Sequence, residues 1–376
     1  MNNIYNLSVL LPINIRKTFT YSYREKLKIG TIVRVAFSNR ELIGVVWGYT
    51  SETEHPQFDK KKIKQILDVL GADKKIILPR ELIEFINWVS EYYIMPLGLV
   101  LKASLKRQFI EKKYANQIFY KPNLDSNIRK TIKQKEVENI FEHNKELSKN
   151  EIIKISGSSR AVVNLMIKKN MLVPSESKES EFGIIKFQNN PKLTTKQTFA
   201  ARQLMENIRY EDKKYKPVLL EGVTGSGKTE IYLEAIISEL KKGSQVLVLL
   251  PEITLTNEFI RFFKSRFQGP ITEWHSGLTE KQRSNAWNAV LRGHTKLIIG
   301  ARSSLFLPFK NLGLIIVDEE HDPSYKQEDG LIYNARDMAV VRSKLSKVSC
   351  ILVSATPSIE SHENVLKQKY LKVKME

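Results

Sequence analysis

One segment restricts this chain to folds in which an apolar strand runs through a glycine loop straight into a helix: Val218-Leu219-Leu220-Glu221-Gly222-Val223-Thr224-Gly225-Ser226-Gly227-Lys228-Thr229. It fits the G-x-x-x-x-G-K-[ST] pattern. Gly222, Gly225 and Gly227, with Thr224 and Ser226 between them, let backbone N–H groups close around phosphate oxygens at a helix N-terminus. Lys228 reaches the terminal phosphates, and Thr229 offers a hydroxyl to magnesium. Residues 218–220 read as a buried strand and 230–240 as a helix stopped by Gly243. Glu230 and the upstream Gln197 complete the expected nucleotide contacts. The pattern therefore points to ATP and Mg2+ as ligands.

A second apolar strand, Leu314-Ile315-Ile316-Val317, delivers Asp318-Glu319-Glu320-His321 at its C-terminal end, where open parallel sheets bind ligands. Asp318 is expected to hold the magnesium, and Glu319 to orient or deprotonate the attacking water. Lys228, Asp318 and Glu319 are the catalytic candidates. A lone acidic strand end would read as a solvated turn; with a phosphate loop upstream it reads as the other half of a nucleotide site.

Around this site, 376 residues imply two or three domains. Sixty Lys and Arg against 41 Asp and Glu give a formal net charge of +19. Such a charge attracts polyanions, with nucleic acid first among them; the other reading is a solubilising surface in a Lys-, Asn- and Ile-rich chain. Cys350, the single cysteine, lies in an apolar run and reads as a buried strand residue, which leaves no disulfide and no cysteine zinc site. No signal peptide and no membrane-length apolar run are visible, so a soluble, cytoplasmic protein without membrane partners is expected.

The chain divides into three parts. Residues 1–110 open with short alternating segments at 31–37 and 42–47, a small β unit. From Lys61 to Leu101 the spacing turns helical, with Leu82, Phe85, Ile86, Val89 and Tyr93 on one face. Residues 111–185 hold three short helices, the third capped by Ser158 or Ser159 and carrying Arg160, Asn164, Lys168 and Lys169; this fits either a winged helix or a helical spacer. The polar run 174–181 is a linker or a wing. In residues 186–376, strands at 218–220, 246–250, 297–300, 314–318 and 351–354 alternate with helices, the pattern of a parallel sheet.

Other segments follow the strands in an informative order: Pro251-Glu252-Ile253-Thr254-Leu255-Thr256, Ala301-Arg302-Ser303-Ser304, and Ser354-Ala355-Thr356-Pro357. The set resembles motifs I, Ia, Ib, II and III of superfamily 2 helicases. Thr254, Thr256, Arg302 and Ser303 suit the phosphates of one nucleic-acid strand. Ser354 and Thr356 suit a bridge between the ATP site and the DNA side. A P-loop kinase or transport ATPase has no use for these segments.

A closer resemblance covers nearly the whole chain. Asp318-Glu319-Glu320-His321-Asp322-Pro323-Ser324-Tyr325-Lys326-Gln327, the run Tyr333-Asn334-Ala335-Arg336, Trp274-His275-Ser276-Gly277, and the N-terminal Phe19-Thr20-Tyr21 and Gly30-Thr31-Ile32-Val33-Arg34-Val35 are together similar to the PriA family of primosomal replication restart helicases. The resemblance implies a multidomain α/β fold: a β-rich N-terminal domain that captures a DNA 3′ end, a winged helix, and a RecA-like first helicase lobe. It implies a 3′-to-5′ helicase that recognises stalled forks and initiates primosome assembly. Forked and single-stranded DNA, primosome proteins and single-strand-binding proteins are the implied partners, and a monomer is expected. The end-binding pocket would use Phe19, Thr20, Phe37 or Ser38, and Lys64. Tyr325, Lys326, Tyr333 and Arg336 would link DNA to the ATP site by stacking and cation–π contact, with Glu320 and His321 as relays.

Two departures from the family pattern stand out. Thr20 occupies a place where the family usually has Asp, and it accepts a bond from a 3′ hydroxyl more weakly and without charge. No second lobe with its arginine, and no cysteine-rich zinc segment, lies within these 376 residues. The chain is therefore expected to be the N-terminal part of a longer protein that binds ATP, hydrolyses it weakly, and leaves zinc to the absent part. The alternative is a fork-recognising, ATP-binding scaffold without helicase activity.

Overall fold

The structure is a computed structural model that describes residues 4–50, 63–71, 76–106, 119–123, 131–142, 147–174, 186–187, 193–208, 215–252, 254 and 257–375. Two compact units are present, one of residues 1–111 with 183–376 and one of residues 112–182.

The larger unit begins with a closed barrel of β1 (Tyr5–Leu10), β2 (Phe19–Tyr23), β3 (Ile32–Phe37), β4 (Arg40–Tyr49) and β5 (Lys64–Val69), in the order β1-β2-β5-β3-β4. Alternation decides which way each strand faces. Leu7, Val9, Val33, Val35 and Ile66 fill the barrel, whereas Leu10, Ile32, Ile43 and Val45 belong to a second core outside it. Residues 64–69 thus correct the expectation of helical spacing from Lys61. β5 pairs with β2 and β3, which would otherwise be open edges, and sheet closure overrides a weak local pattern. Helix formation begins only after Pro79, with α1 (Arg80–Tyr92) and α2 (Leu97–Ser104). The α1 stripe Leu82, Ile83, Phe85, Ile86 and Val89 is buried.

The smaller unit consists of β6 (Phe119–Pro122), α3 (Ile132–Asn139), β7 (Leu147–Ser148), α4 (Lys149–Ser156), α5 (Arg160–Lys168) and β8 (Leu172–Pro174). Its antiparallel sheet runs β7-β6-β8. Val137, Ile152, Val163, Met166 and Leu172 form a small core of its own. Ser159 caps α5 by accepting from the Val162 N–H, and Arg160, Asn164, Lys168 and Lys169 are exposed.

The rest of the larger unit is a parallel sheet. In chain order come β9 (Lys186–Phe187), α6 (Thr195–Asn207), β10 (Val218–Glu221), α7 (Lys228–Lys241), β11 (Gln245–Leu249), α8 (Asn257–Arg266), β12 (Phe267–Gln268), β13 (Ile271–Trp274), α9 (Glu280–Arg292), β14 (Leu297–Gly300) and β15 (Leu312–Val317). A hairpin of β16 (Lys326–Gln327) and β17 (Tyr333–Asn334) follows, then α10 (Ala335–Ser346), β18 (Ser349–Ser354), α11 (Ile359–Leu366) and β19 (Leu371–Lys374). The seven strands lie in the order β13-β14-β11-β15-β18-β10-β19, every pair parallel. Both faces are buried, which is why the strands read as continuous apolar runs. Leu219, Leu247, Ile315 and Leu352 face one core, and Leu220, Val248, Ile316 and Val353 face the other. Cys350 is buried in β18, and burial pushes its thiol up to about 12.

The barrel's outer face and the sheet share the first of these cores. Trp287 Nε1 on α9 donates to the Ser104 carbonyl at 2.8 Å, and Arg342 on α10 donates to the Glu81 carbonyl at 2.7 Å. Among the described residues, no helix is long and apolar enough to cross a membrane.

Candidate nucleotide and nucleic-acid site

In a parallel sheet every loop that follows a strand opens on the same edge, and here that edge collects the predicted site residues. Residues 222–227 follow β10 and end at the N-terminus of α7, whose N-cap is Gly227. Gly225 and Gly227 have φ of 78° and 87°, a left-handed conformation that turns successive N–H groups toward one side. A side chain at Gly227 would also run into the Gln197 amide. That amide donates to the Ser226 carbonyl at 3.1 Å while Gln197 closes the capping box of α6 with Thr194. Gln197, expected among the cofactor contacts, thus braces the loop. The Glu230 carboxylate, also expected there, is ion-paired to Arg266 at 2.6 Å on α8. Thr224 sits exposed at the loop crest.

Lys228 is buried, and its ammonium donates to the Gly222 and Val223 carbonyls at 2.7 and 3.2 Å, leaving capacity for a third acceptor. The Ser226 hydroxyl is buried without a partner. Helix N-terminus, buried ammonium, left-handed glycines and an orphaned hydroxyl together fit a polyphosphate. Among the described residues no group of three or more His, Cys, Asp or Glu is placed to hold a metal. Thr229 and Asp318 fit magnesium as it is usually held, by one or two protein oxygens together with substrate phosphates.

Asp318 follows β15 and is only 7% exposed. Burial is the main reason its carboxyl is pushed up to about 6; a hydrogen bond from Tyr232 and the Lys228 charge oppose that rise, and the Glu319 charge adds to it. The Tyr232 hydroxyl donates to Asp318 Oδ2 at 2.9 Å, and the Glu319 N–H donates to Oδ1 at 3.0 Å. Glu319 has φ 47°, left-handed for a residue with a side chain, so the turn stores strain where the second carboxylate is aimed. His321 Nδ1 and the Ser354 hydroxyl lie 2.8 Å apart in a hydrogen bond, and Ser354 also accepts from the Thr356 N–H at 3.0 Å. Glu320 is fully enclosed, accepting from the Ser358 N–H at 2.7 Å and from the Ser358 and Ser361 hydroxyls at 2.9 Å each. The expected relays Glu320, His321, Ser354 and Thr356 thus form contacts between the loops after β15 and β18.

The expected DNA contacts separate into two groups. Thr254, Arg302, Ser303 and Lys326 lie at the strand-end rim, whereas Thr256 is outside the described residues. Arg302 Nη1 donates to the Lys326 carbonyl at 2.6 Å, and the exposed Lys326 pairs with Glu328. Ser303 accepts from Trp274 Nε1 at 3.0 Å. Tyr325, Tyr333 and Arg336 do not form the expected stacking surface. The β16–β17 hairpin folds the loop back on the sheet, leaving Tyr325 1% and Tyr333 2% exposed. The Tyr325 hydroxyl is shared between the Asp318 and Leu249 carbonyls at 2.6 and 3.0 Å, and Tyr333 packs edge-on against Phe306. Arg336 is tied to Asp337, Ser358, Glu360 and Glu320. In the barrel, Phe19 and Phe37 have ring centroids 4.9 Å apart, Thr20 lies beside Thr50, and the exposed Lys64 is in register with Tyr21 on the adjoining strand.

A family model described as the PriA 3′ DNA-binding domain matches residues 8–106, and a DEAD/DEAH box helicase model matches residues 196–365. The replication restart protein PriA of Rickettsia conorii is 35% identical to 96% of this chain. The chain belongs to the PriA family. It spans 44% of that relative's length, and 50% of the PriA proteins of Chlamydia pneumoniae (33% identical over 96% of the chain) and Haemophilus influenzae (34% over 96%). The 3′ DNA-binding match in this PriA-family chain takes in the barrel, α1 and α2, and the helicase match runs from α6 into α11.

The sequence assigns no site role to Tyr232, Arg266, Trp274, Ser358 and Ser361, each of which contacts a predicted site residue. Tyr232 falls on the apolar stripe of α7 and reads as core; its signal is its place three residues after Thr229, on the same helix face.

Proposed function

We propose that this chain carries the DNA-binding and ATP-binding parts of a replication restart helicase that recognises stalled forks, moves 3′ to 5′ and initiates primosome assembly. The observation that supports this most is the meeting of Lys228 and Thr229 with Asp318 and Glu319 at one sheet edge, in a chain that also carries the 3′ DNA-binding match. ATP and magnesium, when bound, supply the phosphoryl group and the cationic charge that opposes its developing negative charge. Lys228 and the N–H groups of residues 222–227 bind the phosphates, Thr229 and Asp318 hold the metal, and Glu319 orients water. The contacts of His321 with Ser354 and of Glu320 with Ser358 support a relay from this edge to the DNA-facing loops. Thr254, Arg302, Ser303 and Lys326 take the strand's phosphates, a task that needs donors and charge but no base reading.

The three helices and small sheet of residues 119–174 support a winged helix that lays the exposed face of α5 on fork DNA. The Phe19–Phe37 pair supports a stacking pocket for a terminal base, with Thr20 near its hydroxyl. Equilibrium binding to forked DNA with and without a free 3′ hydroxyl at the junction, at two salt concentrations, tests the reading. Tighter binding of the 3′-hydroxyl fork is expected. Equal affinities with a steep salt slope would reduce the chain to a non-specific basic ATP-binding fragment.

A further inference from the structure

A buried carboxylate presents a metal with one orientation only if its neighbours hold it there. Asp318 is held at both oxygens, by the Glu319 N–H and by the Tyr232 hydroxyl. Tyr232 stands three residues after Thr229 on the same face of α7. One fully buried residue therefore holds the Asp318 carboxylate from a place one helical turn beyond Thr229, between the two side chains assigned to magnesium. The packing of α7 explains the ring but not the oxygen. A phenylalanine would fill the same core without burying a polar atom, which carries a cost unless its hydrogen bonds serve a purpose.

We infer that Tyr232 is a positioning residue of the magnesium site. The Tyr232 hydroxyl donates to Asp318 Oδ2 at 2.9 Å, on the side of the helix that carries Thr229. Asp318, with one lone pair of Oδ2 engaged by Tyr232, keeps its remaining lone pairs aimed at the cation. Tyr232 contacts neither metal nor nucleotide in this arrangement and acts through Asp318. The inference rests on the nucleotide reading above.

The test is Tyr232→Phe in the same chain, read by binding of a fluorescent N-methylanthraniloyl ADP during a magnesium titration and again in EDTA. The magnesium concentration for half-maximal enhancement of binding should rise about tenfold, the low end of what outer partners of metal ligands usually contribute. Affinity in EDTA should stay unchanged. Electron paramagnetic resonance with Mn2+ replacing Mg2+ should show the same loss of bound metal. An unchanged magnesium midpoint, or an equal loss with and without metal, overturns this inference alone. If the unmodified chain binds no nucleotide, the proposed function falls and this inference falls with it.

Discussion

Asp318→Asn should make the metal-free protein more stable while removing its ability to hold magnesium. The Asp318 carboxyl rises from 3.8 to about 6 chiefly because folding strips it of water. At neutral pH, keeping it ionised in the fold therefore costs about 3 kcal/mol. Asparagine removes that cost. Its amide still accepts from Tyr232 or from the Glu319 N–H but not from both in the present geometry, and one lost hydrogen bond returns about 1–1.5 kcal/mol. A net gain of about 1–2 kcal/mol remains, a rise of a few degrees in melting temperature for a unit of this size. The sign with pH follows from a folded pKa above the unfolded one. Stability from the protonated group is complete below 3.8 and lost as pH rises through about 6, so the variant's advantage is largest at pH 7–8; at pH 5 the ionisation cost falls to about half and the net advantage to a few tenths of a kcal/mol. Melting in EDTA at pH 5 and pH 7.5 reads this directly. Adding magnesium and nucleotide should reverse the order, because a ligand at one hundred times its Kd stabilises by about 2.7 kcal/mol and only the carboxylate form binds well. A variant no more stable than the parent in EDTA at pH 7.5 would refute the account of Asp318 as a costly buried charge.

Two further outcomes follow from local geometry. Tyr325→Ala should destabilise the chain by about 3–5 kcal/mol by opening a cavity and removing the hydroxyl donor shared by the Asp318 and Leu249 carbonyls, while Tyr325→Phe costs about 1–3 kcal/mol; denaturant unfolding of Tyr325→Ala at parental stability would restore an exposed stacking role for this ring. Gly227→Ala should abolish nucleotide binding in a fluorescence titration and lower stability by at least about 1 kcal/mol, since its φ of 87° disfavours a side chain and its Cβ would strike Gln197; parental affinity would count against the loop geometry.

Much of the site was legible because its chemistry is local. A phosphate loop needs glycines, lysine and threonine within a few residues, and β10, β11, β14, β15 and β18 are apolar runs that only a sheet buried on both faces explains. What stayed hidden depends on partners far away in sequence. Tyr325 sits among Asp322, Ser324 and Lys326, a polar context that reads as surface, yet its hydroxyl reaches a carbonyl at Leu249. The strand Lys64–Val69 is half polar, and only the two barrel edges it closes make it a strand. The edge strands β13 and β19 went unread for a related reason: Ile271-Thr272-Glu273-Trp274 and Leu371-Lys372-Val373-Lys374 mix polar and apolar residues because each pairs on one side only. Gln197 and Glu230 are expected among the nucleotide contacts, but their sequence positions do not report that the Gln197 amide meets a loop carbonyl or that the Glu230 carboxylate pairs with an arginine on another helix.

The sequence divides near residues 110 and 186, but the packing joins what lies on either side. Leu10, Ile32, Ile43 and Val45 on the outside of the barrel, the α1 stripe, and Leu247, Ile315 and Leu352 of the sheet share one core. At its centre Phe85 lies against Phe306, with ring centroids 5.3 Å apart, and takes the Arg342 guanidinium over its face at 5.3 Å. Burial lowers that guanidinium to about 10, an unfavourable placement for a cation that the aromatic face and the Glu81 carbonyl offset. The same interface reaches the β16–β17 hairpin, where the Asn334 N–H donates to the Tyr93 hydroxyl at 3.0 Å. Asn334 caps α10 directly after the loop that buries Tyr325 against Asp318. The last turn of the barrel's own helix is thus two hydrogen-bonded contacts and one short loop from the carboxylate assigned to magnesium. A barrel cut away from the sheet would expose a core-like face, so the 3′ DNA-binding region and the nucleotide site are bound into one folding unit by the packing itself.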